Sequence, residues 1–181
     1  MARFSRPTAP GFLLREWTGM RFLLIDRITE LTPYKSISAV KNLSLAEEYL
    51  ADHFPGFPVL PGVLMLESLV QAGAWLVRCS EDFAHSTVML KETRAVRYNN
   101  FVAPGDQLQL QLTVKKTTGS LWDLQGSGTV NGGSAVSARI TLEVLNLADR
   151  HADLARADEL QIQTWRELLP QIWRQPVEQS A

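Results

Sequence analysis

This chain contains a single cysteine, Cys79. One thiol can neither close an internal disulfide nor build a cysteine metal site, so an oxidising compartment and a thiolate metal centre gain no support, and the cytosol is the expected setting. Excess charge of one sign is lacking too, with 18 Lys and Arg against 19 Asp and Glu. Without a general field, nucleic acid and anionic membrane surfaces are not expected partners, and an acidic partner must meet a local basic patch. No clean membrane span is present, because the most apolar stretch, 59–77, is interrupted by Pro61, Gly62, Glu67 and Gln71. Residues 1–11 carry positive charge but no apolar core ahead of their prolines, which is not the pattern of a secretory signal. Internal repeats and low-complexity segments are missing as well.

What is present is enough for one core. Hydrophobic residues make up 45% of the 181 positions, a length suited to a single domain. The expected organisation is an irregular arm over 1–19, one domain over 20–148 and a helical extension over 149–181.

Residues 22–31 are rich in Leu and Ile and end at Pro33-Tyr34-Lys35, which predicts a strand, a turn and a second strand over 36–43. Ser44 with Glu47 fits a capping box and predicts a short helix over 45–50. From 63 to about 78 the chain is apolar on nearly every face, which predicts a central helix surrounded by protein, with Pro61 in its first turn. The second half changes period. Leu108, Leu110, Leu112 and Val114 alternate with polar residues, as do Val136, Ala138, Ile140, Leu142 and Val144. Between these strands lies another over 121–130, followed by the hairpin signal Asn131-Gly132-Gly133; 87–90 and 94–98 are two shorter candidates. The sum is an α+β fold, an antiparallel sheet of five to seven strands needing to wrap a long central helix. An open sheet edge in such a fold is expected to be covered by a second copy of the chain. Beyond 149, Leu160, Trp165, Leu168, Leu169, Ile172 and Trp173 recur at helical spacing, with Pro170 expected to kink or restart that helix.

Two ionisable residues stand out. Glu67 lies inside the apolar run Val63-Leu64-Met65-Leu66-Glu67-Ser68-Leu69-Val70, where a carboxylate without partners is costly and an acid is expected to be kept protonated. His53 sits in a loop stiffened by Pro55, Gly56, Pro58, Pro61 and Gly62. An imidazole base and a carboxylic acid suit removal of a proton at one carbon and delivery of another to a leaving group nearby.

The motifs His53-Phe54-Pro55-Gly56, Pro58-Val59-Leu60-Pro61-Gly62-Val63-Leu64 and Leu66-Glu67-Ser68-Leu69-Val70-Gln71-Ala72-Gly73 resemble the signature of bacterial 3-hydroxyacyl-acyl-carrier-protein dehydratases, the hotdog-fold family of fatty acid synthesis. Phe22-Leu23-Leu24-Ile25-Asp26-Arg27-Ile28 and Val102-Ala103-Pro104-Gly105-Asp106-Gln107-Leu108 extend the likeness over roughly 20–147. The resemblance implies a hotdog domain that dehydrates (3R)-3-hydroxyacyl thioesters to trans-2-enoyl thioesters, His53 taking the C2 proton and Glu67 protonating the departing hydroxyl. It implies that the two residues meet from opposite subunits of a homodimer. Whether dimers assemble further, as in a trimer of dimers, is left open. Glutamate at 67, where the sister family that also isomerises the double bond carries aspartate, implies dehydration alone. Gly62 N–H is the candidate for the thioester oxygen, and Gln71, one turn beyond Glu67, for orienting the acid. No metal or redox cofactor is expected, since the phosphopantetheine arm arrives with the substrate. The expected partner is an acidic acyl carrier protein, met by Arg94, Arg97, Lys115 and Lys116. The competing readings are a thioesterase or enoyl-coenzyme A hydratase of the same fold, and a non-catalytic acyl-binding subunit.

Overall fold

The computed structural model describes residues 22–173; the expected arm over 1–19 and the end of the tail lie outside them. Six antiparallel strands form one sheet in the order β1-β2-β4-β5-β6-β3. In chain order these are β1 (Arg27–Thr32), β2 (Ser36–Asn42), β3 (Thr87–Tyr98), β4 (Gln107–Thr118), β5 (Leu121–Val130) and β6 (Gly133–Leu145), with α1 (Gly62–Ser80) between β2 and β3 and α2 (Ala155–Ile172) after β6.

Alternation decides the faces. In β4, Leu108, Leu110 and Leu112 are buried while Gln109 and Gln111 face outward, and β5 and β6 repeat the pattern with Trp122, Leu124, Ile140 and Leu142. Each fully buried Leu contributes on the order of 1.5–3 kcal/mol. The sheet curls so that these residues meet α1, whose Leu69, Ala72, Trp75 and Leu76 join the same core. Contact is close enough that a Cβ on Gly73 would fall 2.8 Å from Leu124 Cδ1. A larger residue there would force the Leu124, Leu142 and Leu112 side chains to shift where helix and sheet approach tightly.

By length and composition α1 is also able to cross a membrane, but most of its apolar length is buried against the sheet, which is the behaviour of a core helix. Its burial is uneven. Residues 72–78 are buried without exception, whereas Val63 is 68% exposed and Leu64, Leu66 and Glu67 are half-buried. The first half of the helix thus bares a face that the sequence suggested would be surrounded.

Several expectations shift. The strand expected over 22–31 begins only at Arg27, because the Leu24 amide donates to the Gln71 side chain rather than to a neighbouring strand. The helix expected over 45–50 is one 3-10 turn, Glu48–Ala51. Its capping box does not form, since Ser44 Oγ accepts from Ala46 N while Glu47 pairs with buried Lys41. A reciprocal box closes instead between Asn146 and Asp149. Pro61 is the N-cap of α1 rather than a first-turn residue. The two short strands expected over 87–90 and 94–98 are one strand with irregular register at Leu90/Glu92 and Arg94/Arg97. Helix α2 runs through Pro170 and ends two residues later; without an N–H the proline gives up one i→i−4 bond, and only two helical residues remain beyond it to be disturbed. Its Leu168 and Ile172 are buried, and Trp165 packs edge-on against Trp75 at 5.6 Å.

Candidate active site

The loop between the 3-10 turn and α1 is held by its own backbone. Phe54 N donates to Phe57 O and Phe57 N to Phe54 O, at 3.1 and 2.9 Å, around Gly56, whose φ of +80° only glycine adopts without strain. Val59 N donates to His53 O at 3.0 Å, and Leu60 N to Val102 O at 2.9 Å, tying the loop to the segment before β4. The His53–Phe54 peptide is cis.

These bonds set the imidazole. His53 Nδ1 lies 3.1 Å from Val59 O. A carbonyl oxygen only accepts, so Nδ1 carries the hydrogen, and in the neutral ring the lone pair resides on Nε2. The ring stacks on Phe54 at 4.1 Å and borders a cavity of about 310 Å³ walled also by Gly62, Met65, Tyr98 and Phe101. At the rim, Phe57 and Phe101 meet edge to face at 5.5 Å, and both remain more than half exposed. Partial burial raises the Tyr98 phenol above its ordinary pKa, so it stays neutral.

Gly62 opens α1 inside this cavity. Leu64 N and Met65 N both donate to Pro61 O, at 2.9 and 3.1 Å, whereas Gly62 N and Val63 N have no backbone acceptor among the described residues. Such first-turn amides are donors aimed outward at the positive end of the helix dipole. A side chain at 62 would meet the Tyr98 ring at 3.3 Å, so glycine lets that ring close over the helix start.

Glu67 points elsewhere. At 100° per residue it lies about 140° around α1 from Gly62, on the face of exposed Val63, and it does not border the His53 cavity. Gln71 Nε2 donates to Glu67 Oε1 at 2.9 Å and to Phe22 O at 3.1 Å, and Gln71 Oε1 accepts from Leu24 N at 2.9 Å. His53 and Glu67 of one chain therefore border different surfaces.

The basic residues separate as well. Arg94, Lys115 and Lys116 border one groove of about 360 Å³ on the outer side of the sheet, joined by Arg139 and by Asp123. Arg97 is exposed on β3 but does not border the groove. Sequence reasoning missed Arg139, which faces Arg94 across the β3–β6 pairing, and also Tyr98 and Phe101 in the His53 cavity. Only strand register could have found the first. The two aromatics at the end of β3 and just beyond it, Tyr98 and Phe101, were a signal for the others.

A family model described as a FabA-like domain matches residues 18–139. A curated 3-hydroxyacyl-(acyl-carrier-protein) dehydratase FabZ of Myxococcus xanthus is 38% identical over 138 residues, covering 75% of this chain and 88% of that protein. A protein of the same name from Nitratidesulfovibrio vulgaris is 41% identical over 130 residues, covering 71% and 84%. Among solved structures, the dehydratase heterocomplex ApeI:P of Xenorhabdus doucetiae superposes with a TM-score of 0.60 at 19% identity, over 74% of this chain and 90% of its own. An uncharacterized protein of Pyrococcus horikoshii gives 0.55 at 13%, over 68% and 85%. At these identities the structural likeness speaks for the fold, and that fold is the hotdog.

Proposed function

This chain belongs to the FabA-like family, and from that membership we propose that it dehydrates 3-hydroxyacyl chains carried as thioesters on acyl carrier protein, giving trans-2-enoyl thioesters and water. The observation that carries the reading is the tautomer of His53: with Nδ1 committed to Val59 O, Nε2 is the free base beside an apolar cavity and a helix N-terminus.

The steps balance without a redox partner. His53 Nε2 takes a proton from C2, and the electron pair moves toward the thioester carbonyl, whose growing negative charge is met by Gly62 N–H. The C2–C3 double bond forms as the C3–O bond breaks. Glu67 gives its proton to the leaving oxygen, which departs as water. The proton on His53 then returns to Glu67, restoring both groups. Glutamate in this position goes with dehydration alone. The phosphopantetheine arm comes with the substrate.

Because His53 and Glu67 face different surfaces, the working site is composed from two copies, the Glu67 face of one α1 meeting the His53 cavity of the other. The bare first half of α1, the exposed aromatic rim and the edge position of β3, most of whose residues are exposed, support a homodimer. The groove of Arg94, Lys115, Lys116 and Arg139 is the proposed contact for the acidic carrier protein. The cytosol is the proposed compartment.

The test is to incubate the purified protein with 3-hydroxyacyl chains on carrier protein and on coenzyme A, measuring enoyl and free-acid products separately. Enoyl product, formed faster from the carrier-linked substrate, is expected. Free acid without enoyl product would identify a thioesterase instead.

A further inference from the structure

A second cavity lies at the other end of α1, about 24 Å along the helix from Gly62 at the usual rise per residue. It measures about 320 Å³ and is walled by Arg78, Thr87, Val88, Leu147, Gln161 and Trp165, so α2 supplies one side. Arg78 is only 8% exposed, with its guanidinium carbon 4.2 Å from the centre of the Trp165 ring and 5.6 Å from that of Trp75.

The cation lacks a counter-charge. No carboxylate among the described residues lies within ion-pair distance of Arg78. Its Nε and the neighbouring Trp165 Nε1 are buried donors without acceptors among the described residues. Gln161, half-buried on the next wall, makes no side-chain hydrogen bond to any described residue. Buried donors in folded proteins are overwhelmingly paired, so two unpaired ones beside one cavity are a reason to look for an acceptor. Burial pushes the Arg78 guanidinium down to about 10, which leaves it charged at neutral pH while making that charge costly. Asp158 also borders the cavity, yet its oxygens are taken: Oδ1 accepts from Ser86 Oγ and Leu147 N, and Oδ2 from Ala148 N. It anchors α2 and gives Arg78 no charge partner, so the guanidinium is met only by the faces of the Trp75 and Trp165 rings.

We propose that this cavity is a second ligand site, binding the carboxylate or phosphate group of a small molecule through Arg78 and Gln161. A guanidinium offers two parallel donors to such an oxyanion, and the Gln161 amide offers a third. Val88, Leu147 and Trp165 leave room for a short apolar portion. The site shares no wall residue with the His53 cavity.

The full-length protein should be titrated with inorganic phosphate and, separately, with propionate, at constant ionic strength with chloride as control. Melting temperature and tryptophan emission are read together. One or both oxyanions should raise the melting temperature by about 2 °C or more near saturation and alter the emission, because Trp165 borders the site. Chloride should do neither. The arm that responds distinguishes phosphate from carboxylate recognition. Both responses should vanish in Arg78→Met; if that variant does not fold, Gln161→Leu should weaken binding by about fivefold or more. Absence of any response in the unaltered protein, or a response undiminished by the substitution, would overturn the proposal.

Discussion

Gln71 Nε2 donates to Glu67 Oε1 at 2.9 Å while Gln71 Oε1 accepts from the Leu24 amide at 2.9 Å. The proposed acid is thus moored, through one amide side chain, to the segment that leads into β1. Replacing Gln71 with Leu frees the carboxyl to rotate and leaves the Leu24 N–H unpaired. Losing a hydrogen bond of this kind lowers kcat by about 10- to 100-fold. KM changes little, because substrate binding does not use the amide. Steady-state kinetics beside a melting curve check this: a purely structural role would lower the melting temperature while leaving kcat per folded molecule intact.

The Asp158 carboxyl carries a pH prediction. Burial alone would raise its pKa, but donation from Ser86 Oγ, Ala148 N and Leu147 N holds it below the ordinary carboxylate value. A group whose pKa is depressed on folding stabilises the protein above its unfolded pKa, and that contribution disappears as pH falls through the folded value. The docking of α2 should therefore weaken in acid, below the ordinary carboxylate range. Asp158→Asn should be less stable than the unaltered protein at neutral pH, and the difference should shrink as the pH is lowered. Melting curves across that range check both, and an unchanging difference would contradict the assignment.

For the outer groove, reversing Lys115 and Lys116 to Glu should raise KM for carrier-linked substrate by about tenfold or more at low salt. KM for the same chain on coenzyme A should stay nearly constant, since the groove lies outside the His53 cavity. Equal effects on both substrates would mean that the groove does not receive the carrier protein.

The fold was most legible where burial alternates. Strand β5 occupies the expected 121–130, because Trp122, Leu124 and Val130 face the core and Asn131-Gly132-Gly133 closes the hairpin. Strand β3 was less legible. Its Lys91, Glu92 and Arg94 are exposed at the sheet edge, so there is no dry face to write a period into the sequence, and one strand read as two. The capping box at Ser44 failed because Glu47 answers buried Lys41, a tertiary demand that spacing does not show. The candidate site was half legible. His53 and Glu67 declare themselves as an imidazole in a stiff loop and a carboxyl in an apolar run. That they face different surfaces of one chain follows from helix phase and from the Val59 and Gln71 bonds, which depend on folding.

The central claim is that each site takes His53 from one subunit and Glu67 from the other, and mixing subunits tests it most directly. General acid and base groups contribute about 10²–10⁴ in rate, so His53→Ala and Glu67→Gln homodimers should each lose activity to that degree. When the two inactive variants are unfolded, mixed in equal amounts and refolded together, about half of the dimers are hybrids, and each hybrid holds one intact site of two. Recovery of roughly one quarter of the unaltered activity is the result predicted by this symmetry. Activity no greater than that of the two variants measured apart, from a mixture shown to contain hybrids, would contradict it.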